Sequence, residues 1–85
     1  MMTEEEKFIQ DTLNKLGERL RQLRKDKGYS NYEFFAYENK ISRSQYGRYE
    51  KGSDLRFSSF LKLIHIHGIN LEEFFSEGFE DSTEK

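Results

Sequence analysis

The chain contains no cysteine and no proline. Without cysteine it has no disulfides, no thiolate nucleophile and no cysteine-bound zinc, and a reducing, cytoplasmic setting is the expectation. Without proline, no position in the 85 residues breaks a helix by removing a backbone donor. Long apolar runs are also missing, since none approaches the roughly 20 residues that a membrane helix needs. The opening MMTEEEKF is acidic where a secretory leader would be basic. A single domain of this length buries only about 60–65% of the surface that its unfolded form exposes. So small a core leaves little room for an enclosed small-molecule site. The chain has no nucleophile–base set, no glycine-rich phosphate loop and no metal-ligand spacing. His65 and His67 are two apart, so a helix points them to different faces. Glu72–Glu73 and Glu4–Glu6 suit the positive ends of helix dipoles better than catalysis. The expectation is a protein that is not an enzyme, with no cofactor, no metal, no small-molecule substrate and no membrane partner.

What is present is helical. Charged residues reach 35%, and the apolar residues recur at steps of three and four with no alternation of period two. Thr3 with Glu6 forms a capping box for a first helix over about 4–27, whose stripe is Ile9, Leu13, Leu16, Leu20 and Leu23. Gly17 is the expected point of any kink or break within it. Ser30 with Glu33 forms a second box, opening a helix to about Glu38. Asn39–Lys40 is a turn, Ile41 an apolar plug, and Ser42 the cap of a third helix over about 43–51, closed by Gly52. A fourth helix carries Phe57, Phe60, Leu61 and Ile64 and ends at Gly68. Asn70 and Glu73 open a short fifth. The resulting layout is a helical extension over 1–15, a body over 16–77 and an acidic tail over 78–85, with Phe79 able to fold back onto the body.

The third helix separates its faces. Tyr46 and Tyr49, three apart, point inward, while Arg43, Ser44, Gly47, Arg48 and Lys51 share the other side. Arginine reads guanine edges bidentately, and serine meets any base. Gly47 costs about 1 kcal/mol relative to alanine in a helix, which a close backbone approach to a DNA groove would justify. A solvated face with scattered charge is the plain alternative. The capped helix before it and the apolar turn residue favour DNA reading.

From Leu16 to Phe75 the chain resembles the phage repressor/Cro-type helix-turn-helix domains, the Xre family. The matching segments are LGERLRQLRKDKG (16–28), S-x-x-E (30–33), Ala36, ISRSQYGRYEKG (41–52) and FLKLIHIHGINLEEFF (60–75). The resemblance implies an all-α five-helix bundle of the lambda-repressor-like type, with an extended first helix. It implies binding of double-stranded DNA by a transcriptional regulator, a repressor, acting as a homodimer. Arg43, Ser44 and Arg48 match base-contacting positions, with Gly47 among them. Asn31, Tyr32, Lys51 and Arg56 match phosphate-contacting positions, and Arg24 with Glu50 matches a structural ion pair. The departures are one extra residue between Gly28 and Ala36, Lys40 for the usual turn glycine, and tyrosines for aliphatics at 46 and 49. The stretch after Gly52 is one residue short and lacks the common proline, and His67 stands in place of a leucine. At the turn, Asn39 or Lys40 must take the strained conformation, which asparagine tolerates better.

The net charge of −2 hides an asymmetry. Arg19 to Arg56 holds ten Lys and Arg against five Asp and Glu, a local +5, and the remainder carries −7. Local field rather than total charge governs association with phosphate. The rival reading is a protein-interaction module, or an antitoxin-like accessory regulator on the same scaffold. The acidic ends and surplus phenylalanines favour it. The expected dimerisation surfaces are Phe8, Ile9 and Leu13 of the extension, or the C-terminal set Ile69, Leu71, Phe74, Phe75 and Phe79, of which Leu71 and Phe74 better suit the core and Phe75 and Phe79 an interface.

Overall fold

A computed structural model of the chain describes residues 1–80. The part of the expected acidic tail from residue 81 on lies outside the described residues. The elements are α1 (Glu4–Asp26), α2 (Tyr32–Glu38), α3 (Arg43–Glu50), α4 (Phe57–His67) and α5 (Leu71–Phe75). Strands are absent among the described residues, and none of their helices is long and apolar enough to cross a membrane.

Local signals set most helix ends. Thr3 closes both arms of its capping box with Glu6, at 3.0 and 2.9 Å. Ser42 Oγ accepts from the Gln45 N–H, and Asn70 Oδ1 from that of Glu73. Gly68 ends α4 in the left-handed region at φ 67°.

Three local expectations are corrected. Asn31, not Ser30, caps α2: its Oδ1 accepts from the N–H of Glu33 at 2.7 Å and of Phe34 at 3.1 Å. Both residue types cap well, and the one extra residue in this connection shifts the start by one. At the turn, Lys40 rather than Asn39 takes positive φ, at 61°, because Asn39 ends α2 and its side chain is drawn back to the Phe35 carbonyl at 2.8 Å. Finally, α1 runs unbroken through Gly17.

Gly17 answers to packing. A Cβ there would lie 2.6 Å from the Glu50 carbonyl oxygen and 2.7 Å from that of Tyr49, so the end of α3 rests directly on α1. Alanine in place of a helical glycine ordinarily gains about 1 kcal/mol. Here both obstacles are backbone, so Gly17→Ala should instead cost about 1–3 kcal/mol, read as a lower urea midpoint at unchanged slope. Gly47→Ala is the control: its Cβ would meet the Tyr32 ring, which can swing aside. Equal losses for the two variants would contradict this account.

The core is Leu20, Phe35, Ala36, Tyr46, Tyr49, Phe60, Leu63, Ile64 and Phe74. Phe35 joins three elements, lying 5.0 Å from the Tyr46 ring and stacked on His67 at 5.4 Å. Arg19, buried in α1, ties down the far end: its Nε donates to the Phe74 carbonyl at 2.8 Å and an Nη to that of Glu73 at 3.0 Å. It thereby satisfies the Phe74 carbonyl at the end of α5 and joins Ser76 on that of Glu73. Phe79 packs back against Phe74 and Phe75.

Candidate nucleic-acid interface

Helix α3 is held on three sides. Tyr46 and Tyr49 enter the core. Ala36 of α2 is fully buried, and Phe35 packs on Tyr46. On the α1 side, Gly17 admits the α3 backbone, and Arg24 pairs with Glu50 through Nε–Oε2 at 2.7 Å and Nη–Oε1 at 3.0 Å. A further Arg24 Nη donates to the Tyr29 carbonyl at 2.7 Å. The hydrogen bond to Glu50 holds the guanidinium pKa above its ordinary value, against the opposing effect of burial. The Tyr46 hydroxyl is buried without a hydrogen-bond partner, and burial, with Glu50 nearby, holds its pKa far above the usual phenol value.

The solvent side follows by subtraction. Ser44, Gln45, Arg48 and Lys51 are exposed, and so is Arg43 at the first turn. Glu50 is the only acidic residue of α3, and the Arg24 pair buries it. The exposed side of α3 therefore carries positive charge alone. Arg43 and Arg48, five positions apart, stand roughly 140° from one another around the axis. Arg43 leans toward the start of α2, beside a shallow cavity that it shares with Asn31, the exposed Glu33, Phe34 and Tyr37. Arg48 lies centrally with Ser44 and Lys51.

The phosphate-side residues are placed as follows. Asn31, exposed, commits its oxygen to capping α2, which leaves its NH₂ to donate outward. Arg56, exposed at the start of α4, makes no capping bond. Tyr32 is half-buried with its ring over Gly47. Gly47 itself is buried, which corrects the expectation that it lies on a bare face. The glycine makes room for Tyr32 and so for close packing of α2 on α3. Gln45 was missed in the sequence, although its spacing of three from Arg48 puts it on the neighbouring arc.

Residues 17–77 match the family model of the helix-turn-helix domain. The chain belongs to that family. No curated protein and no solved structure matches it. In this helix-turn-helix chain α2 and α3 are the paired helices and residues 39–42 the turn. The family is a DNA-binding regulatory one rather than an enzymatic one, and membership points to DNA as the partner and to transcription regulation as the role. The long start of α1, up to Leu16, lies before the matched span.

Proposed function

We propose that the chain is a sequence-specific reader of double-stranded DNA of the phage repressor/Cro type, acting as a homodimeric transcriptional repressor in the cytoplasm. The observation that carries this reading is the sequestration of Glu50. With its one carboxylate paired to Arg24, α3 offers a duplex Arg43, Ser44, Arg48 and Lys51 and nothing that repels phosphate. Arg43, Ser44 and Arg48 read base edges. Asn31, Lys51 and Arg56 hold backbone phosphates, with Tyr32 at the edge of that set. Gly47 supports the reading helix from beneath. Repression needs only occupancy of the site.

One domain of this size spans half an operator, so a second copy completes it. Phe57, Leu61 and Phe75 leave an apolar surface on α4 and α5; Phe57 is 64% exposed and Phe75 44%. The same surface favours the rival reading, a protein-interaction module. Selection of binding sites from random duplexes separates the two. A palindrome with half-sites one helical turn apart is expected. On the selected site, Arg43→Ala and Arg48→Ala should each weaken binding by about 1–3 kcal/mol and relax the sequence preference, whereas Lys51→Ala should weaken all sequences alike. Recovery of no enriched site, or full binding by both arginine variants, would reject the DNA-reading role of α3.

A further inference from the structure

A cleft of about 460 Å³ opens between α1 and the C-terminal half of α3. Arg21 of α1 stands on one side and Lys51, just past α3, on the other, and both are exposed. The buried Arg24–Glu50 pair lines the same cleft and adds no net charge. Two cations carried by different elements across a neutral floor repel each other when nothing lies between them, and both are satisfied by one anion placed there. One carboxylate intrudes on this cleft: Glu18 sits 3.7 Å from Arg21, one turn earlier on α1. That contact is largely exposed and solvent-screened, and an incoming phosphate can displace it.

We infer that this cleft is a second backbone clamp, in which Arg21 and Lys51 together hold one phosphodiester group of the DNA strand passing the end of α3, and that Glu18 competes with the phosphate for Arg21. The inference rests on the DNA-binding reading above and extends the interface to α1, which no base-reading residue occupies. The extension fixes the width of the clamp. Gln10 Nε2 donates to the Gly52 carbonyl at 3.1 Å and to Asn14 Oδ1 at 2.9 Å. Asn14 also lies so close over Gly52 that a side chain there would collide with it. The backbone next to Lys51 is thus braced against the same helix that carries Arg21.

The test is titration of labelled duplexes, the selected site and a random sequence, over a range of salt concentrations. Arg21→Ala should weaken both duplexes equally, by about 3–10-fold near 0.1 M salt, and reduce the salt slope by about one. Glu18→Gln should tighten both by about 2–5-fold. Lys7→Ala removes the same charge about 20 Å further along α1 and should change binding by less than about twofold. Arg21→Ala binding like the parent, Lys7→Ala weakening as much as Arg21→Ala, or Glu18→Gln binding no tighter would each overturn the clamp while the DNA reading stands. A parent chain that binds neither duplex would overturn both.

Discussion

Glu50→Ala should lower folding stability by about 3–5 kcal/mol, as much as truncating a core aromatic. The substitution strands the Arg24 guanidinium, 4% exposed, with only the Tyr29 carbonyl for a partner. A charge left unpaired at the floor of the cleft, with its side chain packed among neighbours, regains little hydration, whereas the intact pair satisfies both ends. A domain of 85 residues has roughly 4–13 kcal/mol in all, so the variant stands near the edge of folding. The double variant Arg24→Met, Glu50→Leu removes both charges and should recover most of the loss. Urea unfolding of parent, single and double variants makes the comparison. A single-variant loss below about 1 kcal/mol would mean that the pair behaves as a screened surface contact. The double variant also probes function, because it removes α3's carboxylate without exposing it. A refolded double variant should keep the positive outer side of α3 and therefore bind duplex DNA.

The second large effect is one of pH. His67 is half-buried against Phe35, with its Nε2 enclosed and unpartnered. Burial, reinforced by the charges of Lys27 and Arg19, lowers its pKa to about 4. The unfolded chain takes up a proton at this residue near pH 6.5, but the folded chain does so only near 4. Between those values the unfolded state binds more protons, so the contribution of neutral His67 is complete above about pH 6.5 and is lost as pH falls toward 4. The full shift corresponds to roughly 3 kcal/mol, and partial exposure reduces this to roughly 2–3 kcal/mol. His67→Leu keeps the volume and removes the titration. Its stability should therefore fall less than that of the parent between pH 7 and 4.5, by nearly that amount. Parallel pH profiles for the two proteins would show that His67 is solvated in the folded state.

Much of this architecture was legible because its signals are local. Thr3, Ser42 and Asn70 act on backbone N–H groups within three residues, and Gly68 ends a helix by its own left-handed φ. The inward setting of Tyr46 and Tyr49 follows from helical spacing, and the Arg24–Glu50 pair followed from the resemblance to known domains. The two misread glycines depend on neighbours remote in sequence. Gly17 looks like a weak point in a long helix until the carbonyls of Tyr49 and Glu50, more than thirty positions away, are seen against it. Gly47 looks like bare backbone until Tyr32 covers it. The choice of Asn31 over Ser30 turned on the length of that connection, and that of Lys40 over Asn39 on the Asn39 side chain turning back to the Phe35 carbonyl.

By itself the sequence determined the order of the helices, the caps at Thr3, Ser42 and Asn70, and which side of α3 is apolar, since hydrogen bonding and periodicity act over one or two turns. Only the tertiary structure decided how deeply the Arg24–Glu50 pair is withdrawn from the outer side of α3, that Arg21 and Lys51 face one cleft, and that Nε2 of the half-buried His67 is enclosed. Charge, reach and solvation at those residues depend on what other helices bring within a few ångströms, and no local pattern records that.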